Sequence, residues 1–213
     1  MAVADAPQHL SAMTRDTTPA TTPAVNASDT TLHLYLDLVD PLSFHLNESV
    51  RTVEAEDGVR VERIIVELRP PPAPLTDTDD PFWAGRWSEA DSISVTGNPR
   101  PCLVPSSRKA HELVLHAREA GADVGELIQR LASAFTESGA DTGRVDILVG
   151  IATGLGMDLT ETKAVLDVDR FEAEAALAAD RHARLGVSVP ALVCGDQRLE
   201  GFHNVAAIRT FLG

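Results

Sequence analysis

The stretch Leu32-His33-Leu34-Tyr35-Leu36-Asp37-Leu38-Val39-Asp40-Pro41-Leu42-Ser43-Phe44 decides the fold. Within it Leu32, Leu34, Leu36 and Leu38 alternate with His33, Tyr35 and Asp37. A period of two is the mark of a strand with one buried face. The run stops at Asp40-Pro41, where an Asp cap followed by Pro opens a helix. The carboxylate accepts orphan N–H groups, and Pro has no N–H to lose. The helix is predicted from Pro41 to about Glu56, ending at the turn signal Asp57-Gly58. Val59 to Leu68 is β-branched and apolar, with Arg60, Glu62 and Arg63 outward, and predicts a second strand. Strand, helix, strand is the opening of a parallel βαβ unit.

Beyond it the character changes. Pro70, Pro71, Pro72 and Pro74, then Asp77, Asp79 and Asp80, predict an extended acidic loop that carries Trp83 and Trp87. From Pro105 to Arg184 the pattern is helical. Ala110, Leu113, Val114 and Ala117 mark one helix face, and Leu127, Ile128, Leu131 and Phe135 mark a second. Two shorter helices, Val145–Thr153 and Leu159–Leu166, flank a break at Gly154-Leu155-Gly156, and a fifth is predicted from about Asp169 to Leu185. Ala191–Cys194, the turn Gly195-Asp196 and Gln197–Glu200 read as a hairpin. Asn204 then caps a last helix with Val205, Ile208, Phe211 and Leu212 inward.

Composition excludes several functions. Lys plus Arg is 18 against 32 for Asp plus Glu, a net charge of −14 over 213 residues. Nucleic acid and anionic membrane both need a basic footprint, so neither is an expected partner. No apolar run reaches the 18 residues of a membrane span. Residues 1–29, rich in Ala, Thr and Pro, are expected to be a disordered tail without a signal peptide, and the protein is expected to be cytoplasmic. Cys102 and Cys194 are the only cysteines; neither sits in a CxxC or a zinc-type cluster, and both are expected to be buried. No metal site is expected.

The order βαβ, helical block, ββα resembles the DsbA-like thioredoxin-fold family, and within it the branch of FrnE-type proteins and 2-hydroxychromene-2-carboxylate isomerases. Three segments carry the resemblance: Leu36 to Phe44 at the family's active-site turn, Pro105 to Glu112 before the first inserted helix, and Gly186-Val187-Ser188-Val189-Pro190-Ala191-Leu192-Val193. The resemblance implies an α/β thioredoxin-like fold with an inserted all-helical subdomain. Residues 30–69 and 186–213 would form the thioredoxin-like domain, and residues 70–185 the acidic loop and helical insertion. It also implies a cis peptide bond before Pro190, which would expose the Val189 backbone to a ligand.

At the decisive turn the sequence departs from the family. Redox members carry Cys-Pro-x-Cys where this chain has Asp40-Pro41-Leu42-Ser43. Disulfide exchange needs a thiolate, which neither Asp nor Ser supplies, so dithiol chemistry is excluded at this turn. A helix N-terminus still favours an anion. Ser43 is therefore a candidate donor to a bound thiolate or enolate, and Asp40 a candidate general base. The plainer alternative is that Asp40 only caps the helix and Ser43 only satisfies backbone. Pro41, Phe44, Trp83, Val189 and Pro190 are expected to line a substrate site. His45 reads as a surface residue, and Arg108, Lys109 and His111 as a solvated face. The first expected function is a cytoplasmic isomerase or thiol-dependent transferase acting on a small organic substrate, with glutathione or mycothiol as the candidate cofactor. The alternatives are a degenerate member that binds a ligand or partner, and thiol chemistry at Cys102 or Cys194. A homodimer is left open.

Overall fold

The computed structural model describes residues 31–94 and 100–213; the tail at residues 1–29 lies outside the described residues. The strand β1, Leu32–Leu36, alternates buried and half-buried residues as its period requires. Helix α1, Pro41–Asp57, follows, then β2, Val61–Ile65. Gly58 ends α1 at φ 68°, a left-handed conformation that only glycine adopts without penalty. The strand β2 is shorter than its apolar run. Val66 N–H still reaches Leu36 O at 2.8 Å, but Leu68 N–H turns away to the Asp37 carboxylate at 2.7 Å, and the chain leaves the sheet.

The next segment is more structured than a loop. A two-residue strand β3, Thr76–Asp77, pairs antiparallel with β4, Leu103–Val104. Between them Pro81–Ile93 forms helix α2, so Trp83 and Trp87 lie on a helix and not on the acidic loop expected. The cause is a second Asp-Pro signal: Asp80 accepts the Phe82 N–H at 3.1 Å, and Pro81 opens the helix.

Five helices follow: α3 Arg108–Glu119, α4 Val124–Thr136, α5 Val145–Thr153, α6 Leu159–Asp167 and α7 Glu172–Leu185. The last begins later than expected because Asp169 sits at φ 54°, where a helix cannot continue. The hairpin β5, Ala191–Cys194, and β6, Gln197–Glu200, turns through Gly195 at φ 58°, and α8, Val205–Leu212, closes the chain. Asn204 caps α8 by accepting the Ala207 N–H at 3.0 Å.

The main sheet has the order β2-β1-β5-β6, with β1 and β2 parallel and the other pairs antiparallel. Its leucines, Leu32, Leu34, Leu36 and Leu192, join Leu46, Val50, Leu113, Leu127 and Leu131 in one core. A second cluster, Val39, Trp83, Trp87, Val104 and Phe135, pins α2 beneath the turn that leads into α1. The cysteines correct the sequence reading. Cys102 is exposed and Cys194 is half-buried; both are free.

Candidate functional site

The turn between β1 and α1 is built around Asp40. As the helix cap, its Oδ1 accepts the Leu42 N–H at 3.3 Å and its Oδ2 the Ser43 N–H at 2.9 Å. The Ser43 hydroxyl donates to the same Oδ2 at 2.5 Å. From α2, Arg86 closes on the carboxylate as a fork: Nε donates to Oδ1 at 2.5 Å and Nη2 to Oδ2 at 2.6 Å. Nη2 also donates to Val189 O at 2.8 Å. Five donors thus converge on one carboxylate, which offers about four lone-pair positions.

Burial makes this pair count. The Asp40 side chain is 0% exposed and that of Arg86 16%, so water competes poorly for either. Burial of the guanidinium works against its charge. The hydrogen bonds and attraction of Asp40, with Asp37 and Glu89 in support, outweigh that and hold the Arg86 pKa above its ordinary value. Ser43 is equally committed: besides donating to Asp40, its oxygen accepts the Asp37 N–H at 3.1 Å.

Asp40 and Ser43 therefore come together as their spacing implied, but against each other. The lone pairs a base would use and the proton a hydroxyl would donate are spent internally. Pro41 is buried at the first position of α1. Phe44 is 1% exposed and packs on the His45 ring at 5.1 Å, and it borders only a small hollow of about 20 Å³ shared with His45 and Trp87. Trp83 is 1% exposed, beneath the turn. The Val189–Pro190 bond is cis, as the resemblance implied, but Arg86 already holds the Val189 carbonyl.

A second carboxyl lies behind the first. Asp37 is 1% exposed, and burial pushes its pKa up to about 7, against hydrogen bonds from Leu68 N–H, the Ser107 side chain and Val39 N–H; the nearby Asp40 charge adds to the rise. A pocket of about 120 Å³ opens beside it, lined among others by Val39, Trp83, Val104 and Ser107. A groove of about 670 Å³ lies elsewhere, between α1, β2 and the start of α4. Two of its arginines are already paired there, Arg51 with Glu126 and Arg63 with Glu54.

Three residues expected at the surface are tied down instead. Arg108 Nε donates to buried Glu67 at 2.6 Å, and buried His111 places Nδ1 3.5 Å from the same oxygen. Lys109 pairs with Glu112 at 3.0 Å and with Asp169. His45 is buried too, beside Phe44 and 3.4 Å from Glu48. Among the described residues no cluster of His, Cys, Asp or Glu could hold a metal ion.

Sequence reasoning missed Arg86 and Asp37. The Asp80-Pro81 cap was the available signal for Arg86, since it places Trp83, Arg86 and Trp87 on neighbouring turns of one helix face. For Asp37 it was a charge set inside the apolar run Leu36-Asp37-Leu38-Val39.

No curated protein matches this chain in sequence. Solved structures do match in fold. One titled "probable DsbA oxidoreductase" from Streptomyces coelicolor has 19% identity and a TM-score of 0.70, covering 86% of this chain and 88% of its own. A 2-hydroxychromene-2-carboxylate isomerase has 14% identity and a TM-score of 0.63, with 86% and 94% covered. The cytosolic disulfide reductase DsbM from Pseudomonas aeruginosa has 17% identity and a TM-score of 0.60, with 85% and 96% covered. At these identities the likeness concerns the fold. The family model of the DSBA-like thioredoxin domain matches residues 31–213, and the chain belongs to that family.

Proposed function

We propose that this chain is a ligand- or partner-binding member of the DSBA-like family in which a closed ion pair stands where thiol exchange would occur. One observation carries the reading: the Asp40 carboxylate is filled by Leu42, Ser43 and Arg86, and the same arginine takes the Val189 carbonyl. The anion that a helix N-terminus attracts is here the protein's own side chain. The N–H groups of Leu42 and Ser43 and the Ser43 hydroxyl, the first-turn donors that the thiolate of glutathione or mycothiol would use, are all taken by Asp40. The expectation of a cytoplasmic protein fits two free cysteines, one of them exposed, since a reducing compartment keeps thiols unpaired.

The test pairs an activity with a binding measurement. Insulin reduction with glutathione as electron source, and thermal unfolding with 5 mM glutathione or mycothiol, are run side by side. The expected result is no turnover above the uncatalysed rate and no thermal shift. Saturation at a hundred times the Kd would add about 2.7 kcal/mol and could not be missed. A shift abolished in Asp40→Ala would overturn the closed-turn reading and restore the thiol-dependent one.

A second reading has its own support. A carboxyl group titrating at about 7 beside a pocket is poised for acid–base work near neutral pH. An isomerase of small organic substrates would then use Asp37, not Asp40, to move the proton. Under this reading Asp37→Asn lowers turnover of the substrate at least tenfold, while Ser43→Ala leaves it nearly unchanged.

A further inference from the structure

We propose that the pocket beside Asp37 is a binding site for a small neutral molecule that both donates and accepts hydrogen bonds, of the primary-amide or hydroxy-ketone type. This deepens the binding reading above and rests on it. The pocket lies between the end of β1, the β3–β4 arm and α2, and neither Asp40 nor Arg86 is part of its wall.

Three observations lead there. First, two polar side chains in the pocket wall are almost wholly buried. Asp37 and Trp83 are each 1% exposed, and the Trp83 indole N–H has no hydrogen-bond partner among the described residues. A buried donor without a partner is costly, so a ligand acceptor there recovers that cost. Second, each Asp37 oxygen accepts a single backbone N–H, Oδ1 from Val39 at 3.2 Å and Oδ2 from Leu68 at 2.7 Å. The Ser107 side chain also bonds to this carboxyl, and with about four lone-pair positions the group has room for one further donor.

Third, size and charge select the ligand. About 120 Å³ corresponds to roughly four molecules of liquid water, hence to a ligand of on the order of four to six non-hydrogen atoms. That is too small for a tripeptide thiol. Val39, Pro74, Leu75 and Val104 supply apolar wall, and Thr76 and Ser106 add neutral hydroxyls. Arg69, at the rim, is already bound to Thr76 at 3.1 Å and to Asp80 at 3.3 Å. An anion would thus meet Asp37 without an uncommitted cation, whereas a neutral amide matches its donors to the carboxyl and its carbonyl to the indole N–H.

The experiment uses the full chain labelled with ¹⁵N and acetamide as the probe, with hydroxyacetone and acetate as comparisons. The chain has two tryptophans, so two indole N–H signals are read, and Trp87→Phe assigns them. Acetamide and hydroxyacetone are expected to move the Trp83 signal downfield and saturably in the millimolar range, the affinity open to so small a molecule. Acetate is expected to bind at least tenfold more weakly. Ala73→Phe, on the exposed rim, should weaken acetamide at least tenfold without unfolding the protein, and Asp37→Asn should weaken it at least fivefold. If the Trp83 signal stays still in acetamide and hydroxyacetone, or if both variants bind as the wild type does, the site assignment falls. Equal binding of acetate would overturn the neutral class. Neither result touches the closed turn, which fails separately if glutathione binds there.

Discussion

Replacing Arg86 by Met is the sharpest perturbation of the turn, because it keeps the length of the side chain and removes its charge. The Asp40 carboxylate would then sit 0% exposed with three donors left, Leu42 N–H, Ser43 N–H and the Ser43 hydroxyl. Breaking a buried pair by removing one partner costs about 3–5 kcal/mol. The three surviving donors place this case at the lower end, about 3 kcal/mol. For a domain of this size that lowers Tm by about 6–12 °C. Asp40→Asn keeps a cap and leaves the arginine partly able to reach water, so it should cost less, about 1–3 kcal/mol. In the double variant no charge is stranded. The cycle measured by urea unfolding at pH 7 should therefore show a coupling of about 2 kcal/mol. A loss below about 1 kcal/mol for Arg86→Met, with no coupling to Asp40, would refute the idea that the pair locks the turn.

Other outcomes follow from the same geometry. The folded state holds a proton on Asp37 that the unfolded chain has already released at pH 5–7, since the pKa rises from 3.8 to about 7. Its contribution to stability is present below pH 4 and is lost as pH rises through 7, by at most about 1.4 kcal/mol per pH unit. Asp37→Asn should flatten that slope and rival or exceed the wild type in stability at pH 8; an unchanged slope in urea unfolding from pH 4 to 8 would contradict the burial argument. His182 acts in the opposite sense, since burial lowers its pKa below 6.5. Stability associated with α7 should fall as pH drops below 6.5, and His182→Gln should remove that fall. A mild thiol reagent should label exposed Cys102 within minutes in the folded protein and Cys194 more slowly; equal rates would contradict their different burial.

The sequence made the frame legible because its signals were local. The alternating leucines from Leu32, the Asp40-Pro41 cap, Gly58 and the Gly195-Asp196 turn each act within a few residues, and the elements they mark were found where expected. The β3–β4 arm was not legible. Its strands are two residues each and owe their pairing to chain segments some 25 residues apart, so no periodicity announces them. The site was half legible for the same reason. Asp40 and Ser43 stand three apart, and their contact is local. What decides their chemistry arrives from 46 residues away, in Arg86, and that arginine reaches 103 residues further to Val189. Spacing can nominate a base, but only the fold shows whether its lone pairs are free. The pairing of His111 and Arg108 was hidden likewise, because their partner Glu67 lies just past β2, 41 residues before Arg108.

The Asp40–Arg86 pair keeps the turn closed, and the Arg86 Nε–H reports on it directly. In ¹H–¹⁵N spectra of the wild type this proton should give a distinct signal, protected from exchange at pH 7, that is lost in Asp40→Asn and unmoved by 5 mM glutathione. A signal that exchanges freely with water, or one that shifts saturably with glutathione, would show an open turn with its anion site available, and the closed-pair function would be wrong.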